Sequence, residues 1–152
     1  MTDREYMLEA LSEARLALAE GELPVGCIIV HNHEIIARAH NEREKTQDPT
    51  AHAEIVAMRR AANRLGSWRL NGCTLYVPLE PSPMCAGAIS QARLSRLVYG
   101  AADDKYGCAG SVYRIPEDPA FSHFCKSDGG VEEEACAAVL NEFFSGKRMK
   151  DA

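Results

Sequence analysis

Between Thr2 and Gly21 the apolar residues Met7, Leu11, Ala14 and Leu18 recur every three to four positions, the period of a helix with one buried face. Gly21 supplies a natural stop for it. The pattern changes at Pro24. Residues 24–30 and 34–39 are short and rich in isoleucine, valine and alanine, which predicts two strands joined by the polar turn His31-Asn32-His33. So short a link makes the pair antiparallel. A polar loop follows over residues 41–48. Asp48 and Pro49 read as the cap and first turn of a second helix, which continues through Ile55, Val56, Met58 and Ala62 and stops at Gly66. Residues 73–77 form a third strand, Pro81-Ser82-Pro83 opens a helix towards Gln91, and Leu97-Val98-Tyr99 is a fourth strand. Residues 103–127, interrupted by Gly107, Gly110, Pro116 and Pro119, are predicted irregular, and residues 131–144 close as an amphipathic helix.

Strands alternating with helices predict an α/β fold, a three-layer α/β/α sandwich, and the opening hairpin makes the sheet mixed. At 152 residues the chain fits a single domain over residues 1–152, and 46% hydrophobic with 26% charged residues is ordinary globular composition. No apolar run approaches the ~18 residues of a membrane span, and Thr2-Asp3-Arg4-Glu5 lacks signal-peptide character, so a cytoplasmic protein is expected. The net charge of −5 weighs against broad electrostatic binding to nucleic acid, although a local basic patch is compatible with it. The six cysteines include no Cys-x-x-Cys pair, which points to a reducing compartment and to thiols acting as core, ligand or reactive group.

Two predicted helix starts carry the chemistry. One holds His52-Ala53-Glu54 and the other Pro81-Ser82-Pro83-Met84-Cys85. A helix N-terminus favours a thiolate, so it is expected to help deprotonate Cys85. A neutral imidazole and a thiolate are both natural zinc ligands. Glu54 then lies beside the metal without ligating it and serves as base towards a water acidified by zinc. Alone, His-x-Glu describes a solvated helix pair and Cys85 a core residue. Together, in this order and about thirty residues apart, they form most of the His-x-Glu and Pro-Cys-x-x-Cys signature of zinc deaminases.

The likeness extends beyond that signature. Pro24-Val25-Gly26, Asp48-Pro49-Thr50-Ala51-His52-Ala53-Glu54, Thr74-Leu75-Tyr76-Val77, Leu79-Glu80-Pro81, Met84-Cys85-Ala86-Gly87-Ala88 and Ala109-Gly110-Ser111 resemble the bacterial tRNA-specific adenosine deaminase family, as does residues 132–144. The match spans roughly Tyr6 to Phe144. It implies a cytidine-deaminase-like α/β/α fold, a homodimer, one Zn2+ per subunit, and hydrolysis of adenosine to inosine at the tRNA wobble position. By the same resemblance Glu54 is the proton shuttle, His52 and Cys85 are metal ligands, Asn41 bonds the purine, and the Ala53 backbone N–H contacts the exocyclic position. The resemblance also places Asp103 and His123 facing RNA, with the target base extruded from the anticodon loop.

Ser82 stands where that family has a ligand cysteine. A serine hydroxyl is neutral and a weak zinc donor. Three readings follow: Ser82 inactivates an intact scaffold; zinc persists on His52 and Cys85 with water or Ser82 in the gap; or Cys108, in a glycine-rich loop, substitutes. Three functions stand beside them. The first is a dimeric tRNA adenosine deaminase, the second a free nucleobase or purine deaminase on the same scaffold, and the third a catalytically silent deaminase-like RNA-binding protein. Blander readings exist for the outlying residues. Asn41 is also a turn residue, and Asp103 and His123 are also loop surface. Phe143 and Phe144 suit either the core or the site's rim, and Lys147, Arg148 and Lys150 form a basic tail able to touch phosphates. His31, His33 and His40 read as surface, and Trp68 as a loop anchor.

Overall fold

The computed structural model describes residues 1–151 in backbone and 1–146 with side chains, so the side chains of Lys147, Arg148 and Lys150 lie outside the described residues. Five strands, β1 (Gly26–His31), β2 (Glu34–His40), β3 (Cys73–Leu79), β4 (Arg96–Ala101) and β5 (Lys126–Asp128), form one sheet in the order β2-β1-β3-β4-β5. β1 runs antiparallel to both β2 and β3, while β3, β4 and β5 run parallel. The mixed sheet expected from the hairpin is therefore present. Asn32 and His33, at φ 50° and 65°, make its two-residue turn, and positive φ at both positions matches the twist of paired strands.

Side chains alternate across the sheet and divide the interior into two cores. Cys27, Ile29, Leu75, Val77 and Leu97 face α3 (Ala53–Leu65) and α4 (Pro83–Gln91). Ile28, Val30, Tyr76 and Val98 face α1 (Asp3–Ala19) and α5 (Glu133–Asp151). This is the expected α/β/α sandwich. Gly26 is required where β1 meets α1, because a Cβ there would collide with the backbone of Ala10 and Ala14. Asp3, at the start of α1, accepts both terminal nitrogens of Arg96 on β4 at 2.8 Å and the Tyr76 hydroxyl of β3 at 2.6 Å.

Four elements differ from the pattern reading. The polar loop contains a one-turn helix, α2 (Arg43–Thr46), whose first N–H groups donate to the buried Glu22 carboxylate. The segment after Asp103 holds a 3-10 turn at Ile115–Glu117 as well as the edge strand β5. The helix expected from Asp48-Pro49 starts four residues later, at Ala53. Asp48 instead bonds the backbone N–H and hydroxyl of Thr50, closing a local turn that competes with helix formation.

Candidate active site

The delayed start of α3 is what frees His52. It occupies the N-cap position in extended conformation and makes no side-chain capping bond, so its imidazole is left for another partner. α4 begins just beyond the carboxyl end of β3, with Ser82 as N-cap, Pro83 preset for the first turn, and Cys85 buried within that turn. The two helix starts meet at the floor of a cleft of about 1490 Å³ outside the carboxyl ends of β3 and β4. In α/β sheets of this kind ligands bind at that edge. His52 Nδ1 lies 3.4 Å from Cys85 Sγ, and a Glu54 carboxylate oxygen lies within 4.8 Å of both.

Those distances suit a shared metal. Zinc bonds of about 2.0–2.1 Å to nitrogen and about 2.3 Å to sulfur, at tetrahedral angles, put the two donor atoms about 3.5 Å apart. Burial and the Arg43 charge lower the His52 pKa and keep the imidazole neutral, the form a metal requires. Burial lifts Glu54 to about 7, against hydrogen bonds that favour its ionised form. Cys85 does not follow the expectation of a thiol ionised by its helix. Burial, reinforced by Glu54, drives its pKa well above the ordinary thiol value, so desolvation outweighs the helix N-terminus and a cation must displace the proton.

Ser82 lines the cleft, but its Oγ accepts the Cys85 backbone N–H at 3.4 Å. Cys108 lies nearby in backbone, its N–H donating to the Pro81 carbonyl at 2.9 Å. Its sulfur turns onto the Tyr106 carbonyl, outside the His52–Glu54–Cys85 cluster. Asn41 is buried at the end of β2 and faces the cleft, while its Oδ1 accepts the Arg43 N–H at 3.4 Å, combining the turn role with the site role. Ala53 lines the cleft at the first position of α3, where a backbone N–H has no intrahelical acceptor. Asp103 lines it as well and caps its own loop through the N–H groups of Lys105 and Tyr106.

His123 is not brought to the cleft; its Nε2 sits 2.6 Å from the carbonyl of Leu94, in the connection between α4 and β4. Phe143 and Phe144 line the cleft wall, a rim position. His40 lies half-buried between Glu13 and Glu20, 3.3 Å from each, rather than at the open surface. Trp68 is 55% exposed, with the Arg69 guanidinium over its ring, so it stands outside the core.

The residue that the pattern reading passed over is Glu80. Its buried carboxylate accepts the backbone N–H groups of Asp103, Ala109 and Ser111 and the Ser111 hydroxyl, pinning both ends of the loop that frames the cleft. Gly107 is required there, because a Cβ would collide with that carboxylate. Burial alone would raise the Glu80 pKa, but the bonds from Ser111, Asp103 and Ala109 outweigh it and hold the pKa below its ordinary value. A charge immediately after an apolar strand and before a proline was the available signal.

The family profile for the cytidine and deoxycytidylate deaminase zinc-binding region matches residues 1–101. A tRNA-specific adenosine deaminase of Bacillus subtilis (strain 168) is 47% identical over 148 residues, covering 97% of this chain and 92% of that protein. The chain belongs to the tRNA-specific adenosine deaminase family. Its fold superposes with a TM-score of 0.86 and 43% identity on a structure from a study of A-to-I editing by tRNA:A34 deaminases at the wobble position, covering 90% of this chain and 99% of that one. A Bacillus subtilis guanine deaminase is 38% identical at a TM-score of 0.65, covering 67% of this chain and 66% of that chain. The matched zinc-binding region spans the His52–Glu54–Cys85 cluster, whose donor atoms are grouped closely enough to hold a metal ion. Among the described residues no helix is long and apolar enough to cross a membrane.

Proposed function

We propose that this chain is a cytoplasmic, single-domain hydrolase that converts adenosine to inosine at the wobble position of tRNA, acting as a homodimer with one zinc ion per subunit. The observation that carries the reading is the 3.4 Å approach of His52 Nδ1 to Cys85 Sγ with the Glu54 carboxylate beside them, at the floor of a wide cleft. The relatives named for tRNA support the substrate, and a cleft larger than a nucleobase leaves room for flanking nucleotides.

His52 and Cys85 would hold zinc; Ser82 stands at the family's third ligand position, where its neutral hydroxyl is too weak a donor to replace a thiolate. Bound there, zinc supplies a water acidified towards pKa ~7 as nucleophile. Glu54 accepts the proton of the attacking water, returns one to the purine ring nitrogen and passes the next to the departing amine, giving inosine and ammonia. Its burial suits that alternation, since a carboxyl group with a pKa near neutrality both takes and gives protons at physiological pH. Asn41 and the Ala53 N–H, both on the cleft wall, hold the purine edge. Asp103, fixed through Glu80, faces the neighbouring nucleotides. His123 has no role in the cleft of its own chain.

Nucleoside mass spectrometry of an anticodon stem-loop after incubation with the zinc-loaded protein tests this reading. Inosine at the wobble position is expected, and its absence under conditions where free guanine or adenine is deaminated would contradict it. That second reading, a free-base deaminase, is favoured by the net charge of −5 and by the partial likeness to guanine deaminase.

A further inference from the structure

We propose that Tyr106 is a stacking platform for an unpaired base beside the reacting adenosine, and that it thereby favours a nucleotide within an RNA strand over a free base. This rests on the tRNA reading and adds a contact outside the reacting base. Tyr106 lines the cleft whose floor holds His52 and Glu54. It is 63% exposed and belongs to neither core, so its ring does not serve packing. Its backbone is nonetheless fixed. The N–H donates to Asp103 Oδ1 at 3.0 Å, and the carbonyl accepts the Cys108 thiol at 3.5 Å. The following N–H, of Gly107, donates to the Asp103 carbonyl at 2.9 Å. Only the two side-chain torsions are left free, and a tyrosine held in this way loses little entropy when a ring stacks on it.

The chemistry of the substrate asks for such a surface. Drawing the wobble base into the cleft takes it out of the anticodon stack and leaves its neighbours without that stacking partner. Aromatic side chains replace lost base stacking with little regard to sequence, because every base has a π-face. Stacking needs no broad positive field, which suits a chain of net charge −5. Lys105 adds a local charge, its ammonium 5.9 Å from the Tyr106 ring centroid. An aromatic ring beside a cation is the pairing that sites for single-stranded nucleic acid use for base and backbone. Tyr113 supplies the contrast. It is 66% exposed in the same irregular segment but does not line the cleft, so it meets no base. A free purine, having no neighbouring base, gains nothing from Tyr106.

The test measures binding of an anticodon stem-loop by fluorescence anisotropy in the native protein and in Tyr106→Ala, Tyr106→Phe and Tyr113→Ala. Removing the platform in Tyr106→Ala is expected to weaken binding by about 5- to 150-fold, the range for one stacked base. Tyr106→Phe keeps the ring and Tyr113→Ala removes one that meets no base, so both are expected to stay within about twofold of native. Stem-loops carrying 2-aminopurine at one or other nucleotide flanking the wobble position give a second readout, since its fluorescence falls when it stacks. At saturating protein, quenching is expected at one flanking position with the native chain and not with Tyr106→Ala. Equal binding by the native and Tyr106→Ala proteins would overturn the proposal and leave the deaminase reading standing. So would a loss in Tyr106→Phe or Tyr113→Ala as large as in Tyr106→Ala, or the same quenching with and without the Tyr106 ring. A native protein that deaminates a free purine and binds no stem-loop would overturn the proposal together with the tRNA reading.

Discussion

At Ser82 two preferences pull in different directions. Serine is among the best helix N-caps, and its Oγ takes up the Cys85 N–H. As a zinc donor it is poor. Ser82→Ala is therefore expected to lower stability by about 1 kcal/mol in urea unfolding and to leave zinc affinity within about threefold. Ser82→Cys is expected to raise zinc affinity at least about tenfold in a chelator competition and to raise kcat with it. A metal affinity that collapses in Ser82→Ala would show the hydroxyl to be a ligand after all. That His52, Glu54 and Cys85 come together was legible in the sequence, because their residue types and order form a recognisable pattern. The protonation of Cys85 was not, because burial of a thiol depends on which core lies above it, and that is set by residues distant in sequence.

Glu80 shows what a single buried carboxylate does for an element with little structure of its own. Residues 103–111 contain no helix or strand, and their backbone donors converge on it from both ends. Glu80→Gln leaves charge-assisted bonds unmatched and is expected to cost about 1–3 kcal/mol. KM for RNA should rise more than kcat falls, because the loop carries Asp103 to the cleft while the proton chemistry stays on α3. The folded-state pKa of Glu80 lies below its unfolded value, so the stabilisation is fully present above about pH 4.5 and is lost as pH falls through the depressed value. Thermal unfolding of native and Glu80→Gln protein should converge in acid; a constant difference between them down to the lowest pH would contradict this. At this scale the sequence revealed elements with apolar periodicity and hid those without it. α2 and β5 are short and polar, and their positions come from Glu22 and from pairing with β4 rather than from any pattern of their own. The start of α3 was misplaced because Asp48 closes a turn on Thr50 instead of capping the helix.

Across the whole molecule, the sandwich followed from strands that alternate with helices, whereas the strand order did not. β1 lies between β2 and β3 because its two faces, Cys27 and Ile29 against Ile28 and Val30, fill both cores at once. Asp3 ties α1 to β3 and β4, and Arg96 and Tyr76 hold its carboxyl below its ordinary pKa. The −5 net charge bears on substrate at this scale as well. If RNA contacts phosphates locally, affinity for an anticodon stem-loop should fall at least about tenfold between about 50 and about 200 mM salt, measured by fluorescence anisotropy. Absence of measurable RNA binding at the lower salt would favour the free base. The account as a whole depends on α3 and α4 presenting donors to one cation, and metal stoichiometry of the purified chain beside His52→Ala measures that directly. One zinc per native chain, lost on replacing His52 while the fold is retained, is the predicted result; equal zinc in the two proteins would contradict the account.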